Sequence, residues 1–232
     1  MKGGKQKMNA TLAVVTIGVV PVSEVLPLLT EHISEEHITH LSLLASLSRE
    51  EVLSEYRLEP GEEPLYVLLS DGKSAEISFP KVEIALQGVI EVLDNQGFDV
   101  ILLMSTLRFS NLNARNAMLL EPARIIPPLI ATIVDDHQVG IIVPMPELMR
   151  LQEKKWAVLE QPPVYALANP FYDTEAEWLR AAEKLVEQGA QVLLLDCLGF
   201  HQRHRDLLQK SLDVPVLLTN VLVARLASEL LM

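Results

Sequence analysis

Two nucleophilic side chains lie 92 residues apart at corresponding points of a repeated sequence. The segment from Gln96 to Ser105 recurs as the segment from Gln188 to Cys197. Each copy has a glycine typical of a helix end, then an apolar run typical of a buried strand, then a small nucleophilic residue. Ligands of open α/β sheets bind beyond the carboxyl ends of the strands, so we expect both nucleophiles to line a ligand crevice.

Cys197 is the only cysteine of the chain, so no internal disulfide forms, which agrees with a reducing cytoplasm. A thiol between a strand end and a helix start is expected to have a lowered pKa, because the first helical N–H groups favour the thiolate. The next residues, Leu198, Gly199 and Phe200, predict a turn whose N–H groups hold a substrate carboxylate. The thiol would then donate or remove a proton at the adjacent carbon, or attack an unsaturated carbon.

Ser105 is expected to hydrogen-bond a carboxylate or enediolate oxygen, because an unassisted hydroxyl is a poor proton shuttle at neutral pH. Arg108 is a candidate partner for the anion. His201 is a candidate base or ion partner of the thiol. The remaining expected binding residues lie at or beside other strand ends: Thr16, Gly18, Thr106 and Asn169.

Structural alternatives exist for these residues. A cysteine after an apolar run is also typical of a core position, and Ser105 and Thr106 would equally cap the next segment. His201 and His204 share a helical face, but they lack the second close ligand pair of a zinc site, so we expect no metal and no other cofactor. Three histidines of an irregular segment are interpreted as surface residues: His32, His37 and His40.

The composition restricts the partners. The 232 residues carry a net charge of −12, which disfavours nucleic acid and anionic membranes as partners but permits a small anionic carboxylate in a local pocket. No apolar run reaches the roughly 18 to 20 residues of a membrane span. Residues 1–10 are basic without a following apolar core, so we interpret them as a disordered tail rather than a signal peptide, in a cytoplasmic protein.

Alternating strand and helix patterns predict an α/β fold of aliphatic, doubly covered parallel strands. Besides the two repeat strands, the predicted strands are 12–18, 65–69, 75–79, 139–144, 164–167 and 214–218. The predicted helices are 21–30, a short one after Ser48, 81–96, 123–136, 147–159, 174–188, one through Leu207, and 220–230.

The repeat divides these elements into two pseudo-symmetric parallel-sheet halves, residues 11–144 and 145–232, with a crevice between them. Asp71-Gly72 predicts a β-hairpin inserted in the first half, beside the parallel set. The aliphatic last helix would pack back on the first half or against a second copy, as in a homo-oligomer.

The chain closely resembles the AroM-type proteins. The resemblance rests on segments 16–21, 91–97, 102–106 and 195–205, and it covers nearly everything after the basic tail. AroM-type proteins are in turn similar to the aspartate/glutamate racemase superfamily. That likeness implies two parallel-sheet halves with an interdomain site.

Members of that superfamily typically carry one cysteine per half, each at a strand end, the second often as Cys-x-Gly. Cys197-Leu198-Gly199 matches the second, whereas Ser105 stands in place of the first thiol. This departure counts against a two-base racemase and makes the single-thiol arylmalonate decarboxylases the better analogy. The resemblance thus implies a proton-transfer enzyme of decarboxylase, isomerase or racemase type that acts beside a carboxylate. The alternative is a non-catalytic binding or regulatory protein that retains the crevice.

Overall fold

The chain folds into two compact α/β units. The computed structural model describes residues 11–20, 27, 29–31 and 33–231, so the predicted basic tail, the start of the first predicted helix and His32 lie outside the described residues. The first unit comprises Met1–Ser105, Phe109–Glu121 and Arg225–Met232, and the second comprises Thr106–Arg108 and Pro122–Ala224.

The first unit contains a four-stranded sheet in the order β2-β1-β5-β6, with every pair parallel. The strands are β1 (Leu12–Thr16), β2 (Ile38–Ser42), β5 (Val100–Leu103) and β6 (Met118–Leu120). The central strands β1 and β5 are buried along their whole length. Their continuous apolar runs are what a sheet covered on both faces requires.

The predicted hairpin is present as β3 (Pro64–Leu68) and β4 (Ser74–Ser78), an antiparallel pair. The pair forms a sheet of its own instead of joining the parallel strands. Gly18 explains how β3 docks beside β1: a Cβ there would lie 2.6 Å from the Leu68 carbonyl oxygen. The Val19 N–H donates to that same oxygen at 2.9 Å.

Two helices of the first unit show how the sequence caps helix ends. Helix α1 (Arg49–Glu55) begins at Ser48, whose hydroxyl accepts a hydrogen bond from the Glu51 N–H while the Glu51 carboxylate accepts one from the Ser48 N–H. Helix α2 (Phe79–Gln96) ends at Gly97 in the left-handed region, with a φ of 86°. Both ends follow the capping rules that the sequence pattern indicated.

The second unit contains a sheet in the order β10-β9-β7-β8, again entirely parallel. Its strands are β7 (Val139–Val143), β8 (Val164–Leu167), β9 (Val192–Leu195) and β10 (Val216–Leu218). Its helices are α3 (Pro122–Val134), α4 (Met149–Lys155), α5 (Glu175–Glu187), α6 (Gln202–Leu212) and the first part of α7 (Thr219–Glu229), of which Arg225–Glu229 belong to the first unit. The predicted α/β fold with two parallel sheets is therefore confirmed.

The division between the units falls at Glu121 and Pro122, whereas the sequence pattern places it after Pro144. The difference is the membership of β7, which pairs with β8 and β9 in the second sheet. A Cβ at Gly140 on this strand would lie 2.9 Å from the Ala190 Cβ, so the strand packs tightly where it is. Because the pairing partners of β7 lie far from it in the sequence, no local pattern shows which sheet the strand joins.

Some local predictions differ from the structure. The expected helix 147–159 is α4 flanked by two 3₁₀ turns, Pro146–Leu148 and Trp156–Val158. The sequence pattern also missed the short strands β2 and β6. None of the helices in the described part of the chain is both long and apolar enough to cross a membrane.

Candidate functional site

Cys197 lies just beyond the carboxyl end of β9, a strand with parallel partners on both sides. The strand itself and Asp196 are buried, with Asp196 only 2 % exposed, whereas Cys197 is half-buried. The chain therefore leaves the interior at this residue. The carboxyl end of such a strand is where open α/β sheets bind ligands.

Asp196 is neutralised inside the second unit. Its carboxylate accepts hydrogen bonds from the Lys155 ammonium at 2.5 Å and from the Thr219 hydroxyl at 3.0 Å. The Lys155 side chain is itself only 10 % exposed, and its ammonium lies 5.3 Å from the centroid of the Trp156 ring. A charged pair thus stands directly before the thiol along the chain.

The start of α7 holds both ends of the segment that carries Cys197. Thr219 bonds Asp196 before the cysteine, and the Asn220 side-chain amide donates to the Phe200 carbonyl at 2.7 Å after it. Both residues are buried. The sequence pattern gave no signal for this bracing, because the bonded residues lie more than 19 positions apart.

The turn after Cys197 uses one of the three N–H groups that the sequence assigned to a substrate, that of Phe200, and the next N–H along the chain is also bonded. The Phe200 N–H donates to the Cys197 carbonyl at 3.1 Å, and the His201 N–H donates to Nδ1 of His204 at 2.8 Å. Among the residues that the structure describes, none accepts a hydrogen bond from the N–H of Leu198 or Gly199. The predicted carboxylate cradle is therefore reduced to these two amides.

Gly199 is required by close packing rather than by an unusual turn conformation. Its φ is not among the positive values of the described glycines. A Cβ at this position would lie 2.4 Å and 2.6 Å from two atoms of the Phe171 ring and 2.8 Å from Cγ of Pro170. The loop after β8 therefore covers the turn after β9, with Phe171 still 53 % exposed.

Asn169 organises that covering loop. Its side-chain oxygen accepts hydrogen bonds from the N–H groups of Phe171 and Tyr172, at 2.9 and 3.3 Å, and its amide donates to the Pro144 carbonyl at 3.3 Å. Its backbone carbonyl accepts from the Trp178 indole at 2.9 Å. These bonds give Asn169 a structural role, and its predicted contact with a ligand stays a prediction.

His204 is a buried, neutral part of the same region. Its side chain packs edge-on against Trp178 and Phe200, with ring centroids 4.1 and 5.4 Å away. Burial lowers the pKa of His204 to about 4, and the positive charges of Arg203 and His201 act in the same direction. Within the described part of the chain, no three His, Cys, Asp or Glu side chains are grouped so as to hold a metal ion.

The carboxyl edge of the first sheet carries a different set of groups. Thr16 is fully buried at the end of β1, and its hydroxyl lies 3.0 Å from Nε2 of His40 on the neighbouring strand β2. The interpretation of His40 as a surface residue is therefore wrong, and burial lowers its pKa. Missing β2 caused this error. The Ser42 hydroxyl donates to the Gly18 carbonyl at 2.9 Å, so Gly18 also has a structural role.

Ser105 begins a long loop that helix α2 holds in place. Ser105 is 7 % exposed. Farther along the loop, Glu83 accepts hydrogen bonds from the N–H groups of Ser110 and Asn111, at 2.6 and 3.0 Å. The Gln87 side chain accepts from the Asn113 N–H at 2.9 Å.

The matched sequence decides the family. The AroM protein family model matches residues 12–231, which is nearly the whole chain. The chain belongs to the AroM family. No protein among those of curated function matches it in sequence.

Solved structures show what fold this AroM-family chain shares. An aspartate racemase from Picrophilus torridus matches with a TM-score of 0.54 at 10 % identity, with 95 % of each chain covered. An arylmalonate decarboxylase matches with a TM-score of 0.53 at 13 % identity, covering 95 % of this chain and 91 % of the other. A glutamate racemase from Francisella tularensis, solved with D-glutamate, matches at 0.52 and 15 % identity, covering 96 % and 81 %.

These likenesses establish the racemase-like fold of the AroM-family chain and nothing finer. The roles predicted for Cys197, Ser105 and His201 stay predictions. So do those of Thr106, which is half-buried, and of Arg108, which is exposed. Both of the latter fall in the second unit, the unit that contains Cys197.

Proposed function

We propose that this protein binds a small carboxylate at the carboxyl end of β9 and uses the Cys197 thiol to move a proton at the carbon next to that carboxylate. The reaction is of the decarboxylase, isomerase or racemase type. One observation carries the proposal. The only thiol of the chain stands half-buried just beyond the carboxyl end of a strand in a parallel sheet, and two N–H groups beyond it have no acceptor among the described residues.

The geometry suits a carboxylate for two reasons. The N–H groups of Leu198 and Gly199 directly follow the thiol, and a pair of backbone donors before a helix is a common anion site. The helix that follows, α6, is 11 residues long, so its first turn adds a positive dipole end. A carboxylate held there would place its neighbouring carbon close to the sulfur.

The proton-transfer chemistry balances without a cofactor. In decarboxylation, the bond between the carbon and the leaving carboxylate breaks, carbon dioxide departs, and the electron pair remains as an enediolate on the retained carboxylate. The thiol then gives its proton to that carbon and becomes a thiolate, which solvent reprotonates. In isomerisation, the thiolate first removes the proton from the carbon, and the same enediolate forms.

A single thiol favours one-sided proton delivery. A racemase that works with two thiols needs one on each face of the carbon, and this chain has only one cysteine. The hydroxyl of Ser105 ionises far above neutral pH, so it is better suited to hold an oxygen than to move a proton. Within the proposed range of reactions, we therefore expect decarboxylation or α-proton exchange with a single stereochemical outcome to be favoured over racemisation.

Proton exchange in heavy water tests the proposal. Dicarboxylates, malonates and aromatic-pathway acids would be incubated with the protein in D₂O, and deuterium at the α-carbon and loss of carbon dioxide followed by NMR. We expect turnover with the wild type, loss of at least 100-fold with Cys197→Ala, and a partial loss with Ser105→Ala. Gly88→Ala, on helix α2 of the first unit, is the matched control.

The result also separates the proposal from its alternative. Thermal-shift titration of the same acids would show binding to both the wild type and Cys197→Ala if the protein only binds a ligand. Binding without exchange or decarboxylation across the panel would overturn the enzymatic proposal in favour of a binding or regulatory protein. Slow alkylation of Cys197, not reduced by any of the acids, would count against the site itself.

A further inference from the structure

The Lys155–Asp196 ion pair is the closest buried charge to the proposed reacting sulfur along the chain. Asp196 immediately precedes Cys197, and its side chain is 1 % exposed. Lys155 reaches it from the last residue of α4, 41 positions earlier, and its own side chain is 10 % exposed. The proposed reaction makes no direct use of either residue.

Stability alone does not explain this pair. Removing two charges from water has a large free-energy cost, and their mutual attraction often only offsets that cost. Apolar residues of similar volume commonly serve a buried position as well or better. Because the buried ion pair directly precedes Cys197, the proposed reacting residue, an effect on the ionisation of that thiol is an alternative explanation for the pair.

The role follows from the sign of the charges. A buried carboxylate one residue from a thiol would oppose the formation of a second negative charge on the sulfur. The Lys155 ammonium cancels that repulsion, and the Thr219 hydroxyl bond at 3.0 Å stabilises the carboxylate further. With both partners in place, the charges of the pair that precedes Cys197 sum to zero.

We propose that Lys155 is a positioning residue that acts through Asp196 to keep the Cys197 thiol able to ionise near neutral pH. The proposal rests on the proposed function, because it assigns the pair to the same proton-transfer site. In this role Lys155 and Asp196 act on the ionisation of the thiol and not on the substrate. They set the local charge and fix the point where β9 ends.

Other titratable groups near the segment are few among the described residues. On α6, His204 is neutral above about pH 4 because its pKa is lowered that far, chiefly by burial, and Arg203 lies 5.8 Å from the Trp178 ring. His201 is half-buried at the start of the same helix. In the loop after β8, Asp173 accepts the Asn169 N–H at 2.8 Å. None of these groups is bonded to the Lys155–Asp196 pair.

The pH dependence of alkylation measures the effect directly, since the chain has one cysteine. The rate of iodoacetamide labelling between pH 5 and 10 gives the pKa of Cys197 in each variant. We expect Lys155→Met to raise that pKa by about one unit, which lowers the rate at pH 7 roughly five- to tenfold. We expect Asp196→Asn to lower it, and the double variant to return it close to the wild-type value.

The opposite directions are the signature of the proposed role. Both single variants break the same ion pair, so a purely structural role predicts shifts of the same sign, or loss of folded protein without a shift. Either result would overturn the proposal. Lys155→Arg keeps the charge and should leave the thiol pKa unchanged, and Thr219→Val, which removes one bond without removing a charge, should raise it slightly.

The outcome is independent of the enzymatic proposal. Thiol ionisation is measured without any substrate, so opposite shifts would support the pair's role even if no acid of the panel were turned over. Turnover by the wild type without opposite shifts would retain the proposed function and reject the role of Lys155. Circular dichroism of each variant confirms that the labelled protein is folded.

Discussion

His204 caps the helix on which it lies: its Nδ1 atom accepts a hydrogen bond from the backbone N–H of His201 at 2.8 Å. The third residue of a helix commonly plays this part with a Glu or Gln side chain. Here the acceptor is a ring that is 1 % exposed and packed among aromatic side chains. Protonation of Nδ1 would remove the hydrogen-bond acceptor and place a positive charge in the interior, so the imidazole must stay neutral.

The first prediction concerns stability at acidic pH. The pKa of His204 is lowered from 6.5 to about 4 in the folded protein, first by burial. Unfolded chains take up a proton on this ring below pH 6.5, whereas the folded protein does so only near pH 4. The contribution of His204 to stability is thus complete above pH 6.5 and is lost as the pH falls towards 4.

The variant His204→Gln isolates this effect, because glutamine can accept the same N–H without titrating. We expect it to be less stable at pH 7 by roughly 1–3 kcal/mol, since ring packing is lost, but to lose less stability than the wild type between pH 6.5 and 4. Calorimetric melting temperatures across that range provide the measurement. Parallel pH profiles for the two proteins would contradict the assignment.

The second prediction concerns Asp94 at the end of α2. Its carboxylate accepts hydrogen bonds from the backbone N–H groups of Arg115, Asn116 and Ala117, at 3.0, 3.0 and 2.6 Å. These bonds, with that from Ala117 the largest influence, lower the pKa of Asp94. The Asp94 carboxylate thus holds the end of the loop that begins at Ser105, immediately before β6.

We expect Asp94→Asn to lower the melting temperature and to speed amide hydrogen exchange at residues 115–117, because a neutral amide is a weaker acceptor. The stabilisation should be present above the unfolded-state pKa of about 3.9 and be lost as the pH falls through the lower folded value. Exchange mass spectrometry reports the loop directly. Asn95→Ala, an exposed change on the same helix, should leave exchange at 115–117 unchanged.

Local patterns predicted most of the elements that carry the site. The apolar run before Cys197, the helix start at Ser48 and the stop at Gly97 are set by residues within a few positions of one another, and each is found in the structure. The placement of Cys197 at a strand end follows from the same local signals. These parts of the site required no knowledge of tertiary pairing.

The sequence pattern did not predict contacts between residues that lie far apart in the chain. Lys155 and Asp196 are 41 positions apart and show no shared motif. His40 was misread because β2 is short and only its parallel pairing with β1 makes it a strand. The sheet that β7 joins is likewise defined by its pairing with β8 and β9, which lie later in the chain. Such contacts depend on which segments meet after folding.

The third prediction uses a glycine that nothing in the described structure requires. Gly88 lies inside α2, and a Cβ built on it meets no atom within 4 Å. Glycine in an exposed helix interior costs about 1 kcal/mol relative to alanine, because its backbone loses more freedom on folding. We expect Gly88→Ala to raise the free energy of unfolding by about 0.5–1 kcal/mol in urea titrations. A decrease would show that some other contact needs the glycine.

The fourth prediction concerns Gly199, where the same substitution should have the opposite sign. An alanine Cβ would overlap the Phe171 ring, at 2.4 and 2.6 Å, and approach Cγ of Pro170 at 2.8 Å. We expect Gly199→Ala to destabilise the protein by about 1–3 kcal/mol, the usual effect of overpacking.

Combining Gly199→Ala with Phe171→Ala tests whether the destabilisation comes from overlap with the Phe171 ring. The Phe171 ring is 53 % exposed, so Phe171→Ala alone should cost little, and added to Gly199→Ala it should recover more than half of the lost stability. Urea titration gives the coupling between the two changes, and Gly88→Ala serves as the control for an alanine that meets no neighbour. Additive effects would mean that the two loops are not in contact. In that case the cover over the turn after Cys197 would have to be assigned to other residues.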